Sequence, residues 1–424
     1  MRVARFLRKS CWVLLVAAGS VQAPCLLPSG WLGGIEFQLA AVAHASSWTR
    51  NIDCGGYVRE RPVLWEVPGA MTRAGPADAV GVSGPAESQV RVGNLLHLRQ
   101  NLRWYPSLGL TVALETKERI WAGKDVASVF GFADRFALHE PYFDLTHRFL
   151  DERDAVAEAT IDRFWLNVVH GDVEARLGRQ RVAWGTNLIW NPLDLFNRAS
   201  PLDFDNEEKP GTDAVRMLYF LGPTSLMDLA AAPAREPDQA TVAIRAQANR
   251  WGYDGHLVAG RRGPEAIAGA GWAGDINGAG FRGEALWSFP RDDAVPSYLV
   301  MVVSGDYTLS NGLYLHGAVL YNERGVTGPA GSIALQRALQ RGDLSPARGS
   351  LLIQVAKDVT PLHHLDLTVI HNPDDSSSYV GPSWHWSIRT NLDITVMALL
   401  FRGDEGTEFG DNSQLGMIGF KYSF

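Results

Sequence analysis

Cysteine is nearly missing from this chain: three residues in 424, Cys11, Cys25 and Cys54, too few for a disulfide scaffold. Long apolar runs are missing as well. No stretch of about 18 apolar residues occurs, so the ~20-residue spans of a helical membrane bundle are excluded. Basic charge is in deficit, with 39 Lys and Arg against 46 Asp and Glu, which argues against a nucleic-acid partner, whose phosphates call for a basic face. No Gly-rich phosphate loop precedes a helix, no haem attachment motif occurs, and no cofactor is expected. What is present is 46% hydrophobic residues, 43 Gly and 42 aromatics (14 Trp, 11 Tyr, 17 Phe). That composition excludes disorder. A large soluble β or α/β protein remains, or a membrane β-barrel, whose alternating strands hide apolar surface from a mean hydropathy of -0.07.

The N-terminus favours export. Arg2, Arg5, Arg8 and Lys9 precede the short apolar stretch 11–23, the layout of a secretory signal. Of two small-x-small sites, the one ending at Ala23 is followed by Pro24, so cleavage is expected after Ala45. Residues 1–45 form the expected signal peptide and 46–424 the mature domain. Removing the leader takes four basic residues and one acid, leaving 35 and 45 and a net charge of -10. Cys54 alone remains, so no intrachain disulfide can form.

Period-two alternation fills the mature part. Leu392, Ile394, Val396, Ala398 and Leu400 share one face opposite Asp393 and Thr395, and Phe281, Ala285, Trp287 and Phe289 oppose Arg282, Glu284 and Ser288. About eighteen such segments can be counted from 55–65 to 415–424, with sixteen as the alternative if one pair is misread. One segment is 108–121, with Leu108 on its apolar face; another is 172–184. The gaps between segments obey a parity: 66–90, 122–158, 185–213, 323–349 and 403–414 are long, and every second gap is short. A transmembrane antiparallel β-barrel with long outer loops and short periplasmic turns has this parity. A β-propeller would need a repeat of 40 to 50 residues, and none is found.

The last segment, Gly416-Met-Ile-Gly-Phe420-Lys-Tyr422-Ser-Phe424, resembles the C-terminal signal of Gram-negative outer-membrane barrels. The resemblance implies residence in the outer membrane among lipid and lipopolysaccharide. It also implies recognition of Phe420, Tyr422 and Phe424 by the barrel-assembly machinery.

Sixteen to eighteen strands enclose an aqueous channel, so passage of solutes is the expected function. On the alternating register the polar faces carry Arg99, Arg103, Arg163, Arg176, Arg216, Arg245 and Arg282 into the lumen, with His97, Lys117 and Arg389. Fewer acids share those faces: Glu115, Glu174, Glu284, Asp306 and Asp366. Three arginines, Arg176, Arg179 and Arg181, fall within six residues. Strict alternation would aim Arg179 and Arg181 at lipid, so a bulge at Gly178 is expected to return them to the interior.

The third outer loop, 185–213, has Asp194, Asp203, Asp205, Glu207, Glu208 and Asp213 against Arg198 and Lys209, a net charge of -4. Its three prolines and its aromatics Trp190, Phe196 and Phe204 suggest a folded loop. It resembles the third loop of porins, which folds into the barrel and opposes acids to a basic wall. The run Arg176-Leu-Gly-Arg-Gln, then Trp184-Gly and Asn191-Pro-Leu-Asp-Leu-Phe-Asn197, also resembles porin-like barrels in the style of the alginate-export proteins. The resemblance implies a channel; the excess of lumenal arginine makes small hydrophilic, anionic solutes the expected cargo, and monomer and homotrimer both stay open. Two alternatives stay open: a dedicated transporter of an anionic polysaccharide or organic acid, and a structural barrel around a periplasmic partner. Enzyme chemistry is not expected. His363 and His364 must lie on opposite strand faces and cannot share a metal ion, and His371 with Ser378 near an outer rim is a common loop mixture.

Overall fold

The computed structural model describes residues 30–32, 35–37, 51–67, 89–124, 126, 142–197, 208–331, 335, 338 and 343–424. Most of the expected leader, and Asp203, Asp205 and Glu207 of the third loop, lie outside them. Within 1–45, Gly30–Leu32 and Ile35–Phe37 pair as a separate small hairpin.

The remaining strands close one antiparallel barrel. They are β1 (Ile52–Val67), β2 (Gln89–Ser107), β3 (Leu110–Gly123), β4 (Thr146–Glu152), β5 (Ala155–His170), β6 (Val173–Gln180), β7 (Thr212–Phe220), β8 (Leu226–Ala232), β9 (Thr241–Arg250) and β10 (Tyr253–Arg262). They continue as β11 (Glu265–Ile276), β12 (Ala279–Pro290), β13 (Tyr298–Thr308), β14 (Leu313–Asn322), β15 (Gly349–Thr360), β16 (His363–Asn372), β17 (Ser377–Arg389), β18 (Leu392–Arg402) and β19 (Leu415–Ser423). Eighteen of these make the wall. The seven-residue β4 is an insert: β5 pairs with β3 along its whole length, while its other edge is shared by β6 at Phe164–His170 and β4 at Ala155–Thr160.

The eighteen wall strands are those expected from alternation. Most boundaries move by a few residues, and two of the moves have consequences. The second strand runs through Pro106 to Ser107 and the chain reverses at Leu108-Gly109, because Gly109 supplies the positive φ of 80° that a tight turn needs. Leu108 is therefore fully exposed at a turn rather than part of an apolar face. The fifth wall strand, β6, stops at Gln180, not 184. Asn277-Gly278, with φ of 53° and 85°, and Trp251-Gly252, with 55° and 79°, are two-residue type I′ turns that match strand twist.

Short turns gather at one end of the barrel, with the C-terminus, and long loops at the other. The outer face is apolar, with Phe164, Leu177, Leu257, Val319 and Ile353 all exposed. Toward the loop end the inner face is apolar too. Val63, Trp65, Leu95, Trp121, Leu320, Leu352 and Phe401 are buried there, packed with Trp190, Leu335 and Phe409 from three long loops. An apolar inner wall is stable here because the loops fold inward and cover it. Toward the turn end the inner face becomes polar.

The barrel closes between β19 and β1, with Met417 opposite Val63 and Tyr422 opposite Val58. Ile418, Phe420 and Tyr422 face outward. Phe424 exchanges backbone hydrogen bonds with Gly56 at 2.9 and 3.0 Å. A Cβ at Gly56 would sit 3.0 Å from the Phe424 ring and collide with the carbonyl oxygen of Arg99. Gly56→Val is therefore expected to prevent closure. The variant should lose the band that folded barrels show on unboiled gels, whereas an unchanged band would exclude this role for Gly56.

Candidate functional site: an inward loop against a basic wall

The site begins where β6 leaves the wall. Gly178 has φ 115°, and a Cβ there would meet the Phe164 carbonyl. The pairing of β6 with β5 runs without a shift from Val173 to Arg179, so the expected bulge at Gly178 is absent. The bulge lies on the neighbouring strand. Glu115 faces Arg163 but Thr116 faces Ile161, which makes Asp162 the extra residue and turns both Asp162 and Arg163 into the barrel.

Arg179 points neither into the lumen nor into lipid. Its guanidinium donates to both Asp213 oxygens at 2.9 Å, to the Ile161 carbonyl at 3.0 Å and to the Phe143 carbonyl. It fills the seam between the ends of β4 and β6 and satisfies the strand edge that neither covers. Arg181, just past the strand, is exposed and makes no hydrogen bond or ion pair among the described residues.

From Val182 the chain crosses the interior. Trp184 and Phe196 pack edge to face at 5.1 Å. Asp194 accepts from the Trp184 and Gly185 amides at 2.6 Å, and Asn197 binds the Val182 amide and the Pro210 carbonyl at 2.5 Å. These bonds fasten the two limbs of the loop together. Its apolar side chains lie on a wall of small residues, Ala214, Ala230, Ala232 and Ala243, and a Cβ at Gly269 would come within 2.5 Å of Leu193. Larger residues on β7 to β11 would push the loop off the wall.

Glu284 on β12 anchors the loop. Its Oε1 accepts from the amides of Thr186 at 2.5 Å and Asn187 at 3.1 Å and from the Thr186 hydroxyl at 3.1 Å, and its Oε2 accepts from the Leu193 amide at 3.0 Å. Glu284 is fully buried. Asn187 also accepts from Ser304 on β13 at 2.7 Å. Alternation placed Glu284 in the lumen, but a residue that meets three amides from another part of the chain leaves no local pattern to read.

Two arginine clusters flank the loop. In the first, Arg99 donates to Glu115 at 2.7 Å, Asp162 at 2.9 Å and Glu208 at 3.4 Å, and Arg163 donates to Glu208 and the Lys209 carbonyl, each at 3.0 Å. In the second, toward the turn end, Asp228 accepts from Arg216 at 2.9 and 2.6 Å, from Arg245 at 3.2 Å and from the Trp184 indole at 2.8 Å. Arg176 stands opposite Arg216. It donates to Glu174 at 2.9 Å and Asn167 at 3.0 Å and lies over the Trp165 ring at 4.4 Å. Arg103, on the same inner face, is exposed and makes no ion pair among the described residues. Arg282 pairs with Asp306 across the lumen wall.

The arrangement differs from the expected one in its partners. Of the described loop acids, Asp194 serves its own loop and Lys209, Glu208 meets Arg99 and Arg163, and Asp213 holds Arg179 in the wall. None of them meets Arg176. His363 and His364 do lie on opposite faces: His363 stacks on Trp384 and Trp386 at 5.6 and 5.4 Å, and His364 pairs with Asp358 at 2.7 Å.

No family model matches the chain, and no curated protein matches it. Solved barrels do. Acinetobacter baumannii OccAB2 is 9% identical with a TM-score of 0.54, covering 90% of this chain and 99% of that one. Acinetobacter baumannii OccAB4 is 8% identical with a TM-score of 0.54, covering 88% and 98%. Pseudomonas aeruginosa OpdK, solved with vanillate, is 9% identical with a TM-score of 0.52, covering 88% and 98%. The chain has the porin fold, a closed antiparallel barrel of eighteen wall strands.

Proposed function

We propose that this protein is an outer-membrane channel through which small hydrophilic solutes diffuse, anions in preference to cations. The observation that carries this reading is the second arginine cluster. Arg103, Arg176, Arg216 and Arg245 stand on one side of the lumen with only Glu174 and Asp228 bonded among them, and Arg103 is open to solvent. The inward loop sets the constriction, and the unbalanced positive field filters by charge. Residues 1–45 direct export, the outward Phe420 and Tyr422 with the terminal Phe424 are read by the barrel-assembly machinery, and the apolar outer face meets lipid and lipopolysaccharide.

Planar-bilayer recording in a salt gradient tests the charge filter. The reversal potential is expected to show anion preference at 0.1 M salt and to lose most of it at 1 M, where the Debye length falls from ~10 Å to ~3 Å. Arg103→Glu should move the reversal potential toward cations without altering folding, since Arg103 makes no ion pair or hydrogen bond among the described residues. Cation preference in the unaltered protein at low salt would overturn the reading.

A further inference from the structure

Two long loops meet at the loop-end mouth of the barrel around one buried acid. Glu408, in the 403–414 loop, is 4% exposed. Ser345 of the 323–348 loop donates to its Oε1 at 3.0 Å, and Asn372 at the end of β16 donates to its Oε2 at 3.0 Å. Ser345 is itself tied to the wall, its carbonyl accepting from Asn322 at 2.9 Å and its hydroxyl from Ser350 at 3.1 Å. The Glu408 amide donates to Asp375 in the 373–376 turn at 2.7 Å. Next to it, Phe409 is 2% exposed and stacks on Phe401 at 6.4 Å, in the same apolar core as Leu335 of the other loop.

The charge balance at this point is unusual. The groups facing Glu408 are Ser345 from one loop, Asn372 from the wall and Asp375 from the turn. Asp375 is the one charged neighbour, and no lysine, arginine or histidine among the described residues acts on Glu408. A carboxylate buried among neutral donors beside another carboxylate is costly to ionise, whereas the neutral acid keeps the Asn372 bond and can give its own proton to the Ser345 hydroxyl, which then turns toward Ser350.

We propose that Glu408 is a proton-operated latch: protonated, it holds the described parts of the 323–348 loop, 323–331 and 343–348, and the 403–414 loop down on the mouth of the barrel, and ionised, it lets them go. Burial, reinforced by the Asp375 charge, raises its carboxyl from 4.5 to about 7. An acid with a raised value in the docked state binds protons more tightly there. Docking is then fully favoured below pH 4.5 and weakens as pH rises through about 7, by on the order of 100-fold in the docked-to-released ratio.

Pulsed EPR distances between spin labels at Thr327→Cys and Glu405→Cys, in a background without native cysteines, read the two loops directly and do not depend on conduction. At pH 5 the distance distribution should be narrow, and at pH 8 broad. Glu408→Gln, which keeps the shape without the charge, should stay narrow at both. A distribution in the parent chain that ignores pH, or a Glu408→Gln chain that broadens as the parent does, would overturn the latch. If Glu408→Gln does not fold, the titration of the parent chain still decides.

Discussion

Replacing Glu284 with alanine is expected to raise single-channel conductance by roughly twofold or more, because the loop that narrows the lumen loses its anchor. The carboxylate accepts four hydrogen bonds from the Thr186 to Leu193 segment, and each bond to a charged acceptor is worth about 1.5–3 kcal/mol. Without it, three buried amides have no acceptor, and the cheapest way to satisfy them is to carry the loop into water. Glu284→Gln tests the same point more finely. One amide oxygen can replace Oε1, but the NH2 group would face the Leu193 amide, donor against donor, so conductance should fall between parent and alanine and fluctuate as the loop leaves and returns. Equal conductance in all three proteins would show that the loop does not narrow the passage.

The second large effect is on stability. Arg99→Met should lower the unfolding midpoint of the barrel well beyond any surface change, since it strips the main cation from Glu115 and Asp162, both 5% exposed. Breaking one partner out of a buried charge cluster costs about 3–5 kcal/mol. Arg163 remains 3.5 Å from Glu115 and 3.8 Å from Asp162, close enough to soften the loss but already engaged by Glu208. Arg103→Met is the control. It removes the same charge from the same strand without breaking a bond, and it should leave the midpoint unchanged while reducing anion preference. Thermal unfolding followed on unboiled gels separates the two, and equal midpoints for both variants would refute the buried cluster as a source of stability.

The wall was legible in the sequence because each strand has one face in an apolar medium, and period two records that asymmetry residue by residue. The parity of the gaps was legible for the same reason. β4 was not. Thr146-His-Arg-Phe-Leu-Asp-Glu is exposed or half-buried along its length, so neither face selects for apolar residues. The three arginines from 176 to 181 stand out in the sequence as a dense run of charge, but their partners were hidden. Arg179 bonds to carbonyls of Phe143 and Ile161, and a backbone acceptor has no identity in a sequence. The bulge that matters sits at Asp162, an ordinary residue, while Gly178, the residue that looks like a bulge, merely lets the strand bend away. The loop acids were visible as a run of charge, yet charge alone cannot say that Asp194 would be used up by the loop's own amides. Glu408 gave no signal, because Ser345, Asn372 and Asp375, which surround it, come from three separate parts of the chain.

The closing pair of the barrel has a consequence for the order of events in assembly. Gly56 lies in the first wall strand and Phe424 just past the last, and their mutual hydrogen bonds help to complete the ring. Every other neighbouring pair of wall strands can form as soon as a few dozen residues are available. This pair cannot form until β19 has been delivered. Each earlier stage is therefore an open sheet with two unsatisfied edges, the arrangement that recruits foreign strands and aggregates. The chain cannot escape that stage faster by folding locally, since the missing contact is the most distant one it makes. The edge of β1 must therefore stay unpaired until β19 arrives.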